Sequence, residues 1–177
     1  MKSINRREAI QLTGAGLGAL LLAPSLMAFE NQHMMKRAIP SSGELLPVVG
    51  LGTWQTFDIG NNKEQRSQLL DVLKEMRKLG GAMIDSSPMY GSSEAVVGDL
   101  SSAIENEFFY ATKVWITGKQ AGIDQMNDSI RKMKRGQMDL MQIHNLVDWK
   151  THIKTLRDWK DSGKIRYWGY ALYQFIA

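Results

Sequence analysis

The chain alternates between short, nearly continuous apolar runs and longer stretches in which apolar residues recur at helical spacing. Continuous runs are typical of buried strands in parallel sheets, and spacings of three and four residues are typical of amphipathic helices. The pattern predicts strands in "LLPVVGLGTW", "AMIDSS", "FFYATKVW", "MDLMQIHNL" and "IRYWGYA". It predicts helices in "KEQRSQLLDVLKEMRKLGG", "SSEAVVGDLSSAIE", "GIDQMNDSIRKMKRG" and "DWKTHIKTLRDWKDSG".

Individual residues are expected to mark the ends and faces of these elements. Gly80 and Gly81 close the first predicted helix, and Ser92 or Ser93 is expected to cap the second. Ahead of the first strand, "KRAIPSSGELLPVV" predicts two short extended pieces around a turn at residues 41–43. An apolar stripe is expected on the last helix, formed by Trp149, Ile153, Leu156 and Trp159.

The order of the elements predicts a parallel sheet. Strands joined by single helices imply right-handed crossovers between parallel neighbours. Two layouts have this order, namely an open doubly wound sheet and a closed barrel. A dinucleotide-binding sheet would carry G-x-G-x-x-G after its first strand. The stretch "VVGLGTWQTF" has G-x-G without the third glycine, so that fingerprint is absent.

Composition indicates one ordinary globular domain. The chain has 177 residues, of which 44% are hydrophobic and 23% charged. The net charge is +4, but residues 1–28 contribute about half of it, and the remainder is too small and too scattered to indicate nucleic-acid binding. There is no cysteine, which excludes disulfides and thiolate chemistry. No metal site is predicted.

The first 28 residues have the layout of an export signal. A charged start with adjacent Arg6 and Arg7 precedes an uncharged, glycine-rich and weakly apolar stretch that ends near Ala28. This layout is typical of a twin-arginine signal peptide, which predicts a periplasmic protein handled by the twin-arginine export machinery. The alternative is a retained membrane anchor, for which a more strongly apolar run is expected. Residues 29–36 are interpreted as a linker and residues 37–177 as the folded domain.

Four ionisable side chains follow or end the predicted strands. Asp85 and Tyr90 come after the second strand, Lys113 lies at the end of the third, and His144 ends the fourth. Active sites of parallel α/β folds gather at this edge of the sheet. Each residue alone has a structural interpretation, as a turn former, a surface residue or a hydrogen-bonded core group. Their joint placement favours a catalytic site.

These four residue types suit proton donation to an oxygen. A tyrosine phenol has a pKa of about 10, and an adjacent ammonium group lowers it by favouring the phenolate. A carboxylate beside the lysine keeps it charged and in place, and a neutral imidazole can orient a carbonyl oxygen. Together they would protonate an oxygen on which negative charge develops. A hydride would have to come from a nicotinamide cofactor.

The stretches "GLGTW", "IDSSPMYGSSEAVVG", "ATKVW" and "QIHN", in this order and spacing, resemble the aldo/keto reductase superfamily. The resemblance runs from about residue 36 to 169. It implies an α/β fold, the N-terminal part of a (β/α)8 TIM barrel with about four βα units plus a fifth strand. It also implies NADPH as cofactor and an aldehyde or ketone as substrate.

The resemblance implies a role for each residue. Tyr90 would be the proton donor, Lys113 and Asp85 its supporting pair, and His144 the group that orients the substrate. Cofactor-binding positions would be Gly52, Thr53, Trp54 and Asp85.

The carboxyl-terminal stretch departs from the family pattern. Members continue after R-Y-x-G with a Ser- or Thr-containing strand end and three further strands, whereas here the sequence is "GYALYQFIA". A frameshifted or partial gene product is the hypothesis for this difference. The alternative to an active reductase is therefore an inactive fragment that keeps the site residues without holding the cofactor, and a third interpretation is a half barrel that binds ligands without turnover. Open barrel edges predict self-association.

Overall fold

The computed structural model describes residues 34–105 and 108–172. The predicted signal peptide and most of the predicted linker lie outside the described residues.

Seven strands and four helices make up the described part of the chain. The strands are β1 Lys36–Ala38, β2 Leu45–Pro47, β3 Gly50–Gly52, β4 Met83–Asp85, β5 Phe109–Val114, β6 Met138–His144 and β7 Ile165–Ala171. The helices are α1 Lys63–Lys78, α2 Ser93–Ser101, α3 Lys119–Lys132 and α4 Trp149–Asp161.

Strands β3 to β7 form one parallel sheet in sequential order, which confirms the predicted α/β fold. Each helix connects two neighbouring strands, and such crossovers are right-handed. All four helices therefore lie on the same face of the sheet, where consecutive helices contact one another. A doubly wound sheet would reverse its strand order and place helices on both faces. The observed order is that of a partial barrel.

The hydrophobic core fills the space between the sheet and the four helices. It contains the outward-facing side chains Ile84, Val114 and Ile143 from the strands. The helices contribute fully buried residues that include Leu73, Val97, Met126 and Leu156. Because the core uses these alternate strand positions, the intervening positions face the opposite side, where the candidate site lies.

The prediction that "LLPVVGLGTW" forms a single strand is wrong. Its beginning pairs antiparallel with β1, and its end pairs in parallel with β4. Between them Val48 and Val49 are 44% and 57% exposed. Pro47 has no N–H to continue a ladder, and the N–H of Val48 donates to the carbonyl of Met35 in the hairpin. The apolar run therefore contributes one strand to each of two sheets.

The predicted stripe on α4 is only partly right. Leu156 and Trp159 are buried, but Trp149 is 40% exposed. His152 is fully buried instead, and its Nε2 lies 2.6 Å from the carbonyl oxygen of Ile116. This contact with the loop after β5 sets which face of the helix packs inward.

Among the described residues, no helix is long and apolar enough to cross a membrane.

Candidate active site

Lys113 and Asp85 form an ion pair at the carboxyl edge of the sheet. Asp85 ends β4 and Lys113 lies one residue before the end of neighbouring β5. Lys113 Nζ donates to Asp85 Oδ2 at 2.5 Å and to the carbonyl oxygen of Ser86 at 2.7 Å. Lys113 is buried with 3% of its surface exposed. A buried ammonium needs such partners, so the pair confirms that these two predicted residues come together.

Gln142 completes the carboxylate's set of partners. Its Nε2 donates to Asp85 Oδ1 at 2.8 Å, so each carboxylate oxygen accepts a hydrogen bond, one from Lys113 on neighbouring β5 and one from Gln142 on β6, two strands away. Gln142 pairs in register with Lys113 and lies two residues before His144 on β6. The sequence interpretation missed it. The period-2 alternation of a strand would have placed Gln142 on the same face as His144.

Tyr90 lies in the loop between β4 and α2, beside the ion pair. Its ring centroid is 5.2 Å from Lys113 Nζ. The loop is held by a hydrogen bond from the Tyr90 N–H to the Ser87 carbonyl and by one from the Ser93 N–H to the Tyr90 carbonyl. A cation at this distance from an aromatic ring stabilises negative charge that develops on it.

His144 ends β6 and is nearly buried. Its ring packs on that of Trp115, with centroids 4.7 Å apart. Burial lowers the pKa of His144 below 6.5, as does the charge of Lys113, while Asp85 acts in the opposite direction. The imidazole is therefore neutral near pH 7. Its Nδ1 is buried without a hydrogen-bond partner among the described residues.

Trp115 is the second residue beside the site, after Gln142, that the sequence interpretation missed, although it ends the quoted stretch "ATKVW". Its backbone N–H donates to Gln125 Oε1 at 2.7 Å, which ties the loop after β5 to α3. The ring of Trp115 thereby covers one face of His144.

Gly52, which ends β3, and the two residues after it differ in their surroundings. Thr53 is fully buried, and its N–H donates to the Asp85 carbonyl at 3.1 Å while its hydroxyl donates to Ser86 Oγ at 2.9 Å. Its polar groups therefore hold the ends of β3 and β4 together. A Cβ at Gly52 would meet open space, and Trp54 is 56% exposed. Gly52 and Trp54 are thus accessible to a ligand beside Asp85.

Comparison with known proteins identifies the family to which this arrangement belongs. The aldo/keto reductase family model matches residues 48–175, which contain all four ionisable site residues. The chain belongs to the aldo/keto reductase family. The resemblance drawn from the motifs is confirmed.

Curated aldo/keto reductase relatives include two methylglyoxal reductases. YeaE of Escherichia coli is 31% identical over 143 residues, which cover 77% of this chain and 49% of that protein. DkgB of Yersinia pestis is 33% identical over 104 residues, which cover 56% of this chain and 36% of that protein. The chain thus spans about half the length of the first relative and about a third of the second.

Solved aldo/keto reductases have the same fold in the matching region. One from Klebsiella pneumoniae, in complex with NADPH, aligns with a TM-score of 0.67 and 25% identity over 80% of this chain and 51% of that chain. The holo form of an aldo-keto reductase from Bacillus halodurans has a TM-score of 0.67 with 23% identity. These structures confirm the predicted part of a (β/α)8 barrel.

Proposed function

We propose that this protein is an NADPH-dependent oxidoreductase that reduces the carbonyl group of an aldehyde or ketone, with Tyr90 as the proton donor. The observation that carries the proposal is the placement of the Tyr90 ring beside the buried Lys113–Asp85 pair, at the edge where His144 also ends its strand. The methylglyoxal reductases among the relatives support a small carbonyl compound as substrate.

The accessible residues of the site fit a nicotinamide cofactor. Gly52 leaves open space where a side chain would project, and Trp54, two residues later in the chain, is exposed. The buried, unpartnered Nδ1 of His144 offers a polar atom inside the site. Gly52, Trp54 and Asp85 would hold the nicotinamide end, which supplies the hydride when bound. Support for NADPH in particular comes from the Klebsiella pneumoniae structure that contains it.

Tyr90 and Lys113 would carry the proton transfer. A neutral phenol is a weak acid, and its conjugate phenolate is stabilised when an ammonium group lies against the ring. Lys113 Nζ has that position, 5.2 Å from the ring centroid. Because Lys113 is buried, little water screens its charge, and the phenol can donate its proton as charge develops on the substrate oxygen.

The remaining groups would fix the reacting atoms. Asp85 is held by Lys113 and Gln142, so the ammonium group has one defined position. His144 is kept neutral by burial and by the charge of Lys113, so one ring nitrogen can donate a hydrogen bond to the carbonyl oxygen without adding charge.

Two measurements on the full chain test the proposal. Titration with NADPH, followed by nicotinamide fluorescence, is expected to show saturable binding that weakens in Lys113→Ala. Consumption of NADPH in the presence of methylglyoxal is expected to stop in Tyr90→Phe while cofactor binding remains. Tyr170→Phe is the control, because Tyr170 lies on β7 away from the ion pair and is 42% exposed. Undiminished turnover in Tyr90→Phe would overturn the assignment of the proton donor. Absence of cofactor binding would favour the inactive fragment.

We also propose that residues 1–28 direct export through the twin-arginine route to the periplasm. The adjacent Arg6 and Arg7 and the weakly apolar stretch after them support this. A fusion of residues 1–36 to a reporter that functions only in the periplasm is expected to be active, and Arg6→Lys together with Arg7→Lys should abolish its activity. An unchanged signal in the double variant would contradict the proposal.

A further inference from the structure

Three consecutive residues at the start of α2 each bond to a different part of the fold. Ser92 is the first. Its N–H and its hydroxyl both donate to Asp58 Oδ1, at 2.8 Å each, and its Oγ accepts the N–H of Gly60 at 2.9 Å. Asp58 and Gly60 belong to the loop between β3 and α1. Ser92 thus fastens the loop that carries Tyr90 to the neighbouring loop.

Ser93 and Glu94 reach inward from the same helical turn. Ser93 is fully buried, and its hydroxyl donates to the carbonyl oxygen of Thr53 at 3.3 Å. Glu94 is 1% exposed, and its Oε1 accepts a hydrogen bond from Thr112 Oγ1 at 2.5 Å. Thr112 precedes Lys113 on β5, and Thr53 bonds in turn to the Asp85 carbonyl. Glu94 therefore bonds to the residue next to Lys113, and Ser93 bonds to a residue that is itself hydrogen-bonded to Asp85.

These contacts come at a local cost to α2. A serine at the N-cap position normally accepts an N–H of the helix, which stabilises it by about 1 kcal/mol, but Ser92 makes no such bond. Burial raises the pKa of Glu94, and its Oε2 has no partner among the described residues. Burying a carboxylate without full hydrogen bonding is unfavourable. The missing N-cap bond and the incompletely bonded carboxylate both make α2 locally less stable. Such local losses are typical of residues that serve a function elsewhere in the fold.

The backbone next to Tyr90 is shaped to admit the Asp58 contact. Gly91 has a positive φ of 57°, and a Cβ there would overlap the Asp58 carboxylate. Only glycine combines this conformation with such a close approach at little steric cost. The hydrogen bonds from Ser92 lower the pKa of Asp58, so the contact is present at neutral pH.

We propose that Ser92, Ser93 and Glu94 form a positioning anchor that fixes the Tyr90 ring against the Lys113 ammonium group. Ser92 holds the loop from the side of β3, and Glu94 holds it from β5, so the backbone next to Tyr90 cannot shift without breaking bonds on two elements. The anchor rests on the proposed function, because it matters for the reaction through Tyr90 as the proton donor. None of the three side chains is proposed to touch substrate or cofactor.

The test measures the Tyr90 ring directly in the full chain. Isotope-labelled tyrosine gives one NMR signal per ring, and Tyr90→Phe identifies the signal of Tyr90. In Ser92→Ala that signal is expected to shift, because the ring lies further from Lys113 on average. Ser92→Thr should restore the wild-type signal, since threonine keeps the hydroxyl. Asp58→Ala removes the partner of Ser92 and should have the same effect. Because Asp58 is exposed, this substitution is not expected to unfold the protein.

The matched control is Ser101→Ala. Ser101 is also a buried serine of α2, but its hydroxyl donates to the Val97 carbonyl within the same helix. It should leave the Tyr90 signal unchanged. An equal change in Ser101→Ala and Ser92→Ala, or no change in Ser92→Ala and Asp58→Ala, would overturn the anchor and leave these contacts a purely structural role.

Kinetics separate the anchor from the proposed function. With methylglyoxal and NADPH, Ser92→Ala is expected to lower kcat by roughly 10- to 100-fold with little change in KM, because displacement of a reacting group by about 1 Å has effects of this size. An inactive wild-type chain would count against the proposed function alone, since the NMR signal still decides on the anchor. An active wild type with unchanged kcat in Ser92→Ala would count against the anchor alone.

Discussion

Asp85 and Lys113 are partners with unequal burial. The Lys113 side chain is 4% exposed, whereas that of Asp85 is 32% exposed and keeps Gln142 as a second partner. Removal of Asp85 would leave a buried ammonium group that has the Ser86 carbonyl as its hydrogen-bond partner and the Tyr90 ring beside it. Removal of Lys113 would leave a carboxylate that is partly solvated and still hydrogen-bonded.

This asymmetry predicts unequal effects of two substitutions on stability. Asp85→Ala is expected to lower the free energy of unfolding by roughly 2 kcal/mol more than Lys113→Met, because an unpaired buried charge costs several kcal/mol whereas an apolar replacement is tolerated. Chemical denaturation of both variants at neutral pH measures the difference. Equal losses would show that water reaches Lys113 freely.

His144 predicts a loss of stability in mild acid. Its pKa in the folded chain lies below 6.5, because burial and Lys113 disfavour the imidazolium form. In the unfolded chain the pKa is about 6.5. Between these values the unfolded chain binds more protons, so the free energy of unfolding falls as the pH drops below about 6.5, until the folded-state pKa is passed. Denaturation curves recorded at a series of pH values are expected to show that the free energy of unfolding varies less with pH in His144→Gln than in the wild type over this window. An equal dependence on pH in the two proteins would contradict the lowered pKa.

At the scale of the element, helix α2 approaches the end of α3 closely at Gly98. Gly98 is buried, and a Cβ at this position would overlap the Lys132 carbonyl oxygen and the backbone of Met133. The absence of a side chain therefore lets backbone pack on backbone. This contact also supports the helix from which Ser92 to Glu94 reach the site.

Gly98→Ala is therefore expected to destabilise the protein even though alanine is a better helix former. The intrinsic gain is about 1 kcal/mol, whereas forced separation of two packed elements costs about 1–3 kcal/mol. Gly136→Ala is the control, because a Cβ there would meet nothing within 4 Å. Thermal unfolding of both variants checks the prediction, and a raised Tm in Gly98→Ala would refute it.

The order of the elements could be predicted because the apolar pattern is strong and each strand occupies one run. The same pattern placed Asp85, Lys113 and His144 at the ends of adjacent strands, where the structure has them. It failed where tertiary contacts override local preference. Ser92 has the residue type of an N-cap, but its hydroxyl bonds to Asp58, a partner that lies 34 residues away.

At the scale of the whole molecule, the five-stranded sheet has β3 and β7 at its edges among the described residues. The face that carries Lys113 also carries Met83, Leu140 and Tyr167, which are only half-buried. Each of the loops after β3 to β6 exposes a large apolar side chain, namely Trp54, Met89, Ile116 and Leu146. Unpaired strand edges and exposed apolar groups favour association between copies.

The 177-residue chain is accordingly expected to sediment as a dimer or a larger assembly at micromolar concentration. Tyr170→Lys, on edge strand β7, should shift the distribution toward the monomer, because a charge on an edge disfavours pairing with another strand. Val72→Lys is the control, because Val72 is a similarly exposed apolar residue on α1. A monomeric wild type, or equal effects of both variants, would contradict the prediction.

The sequential order of β4, β5 and β6 has a consequence for synthesis on the ribosome. Asp85, Lys113 and His144 lie on adjacent strands, so each joins the site by pairing with a strand that has already emerged. At roughly 5–20 residues per second, the stretch from Asp85 to His144 is translated in about 3–12 s. Lys113, Asp85 and Gln142, which bond to one another, have therefore all been synthesised before β7 is made, so the ion pair is expected to form early in the nascent chain.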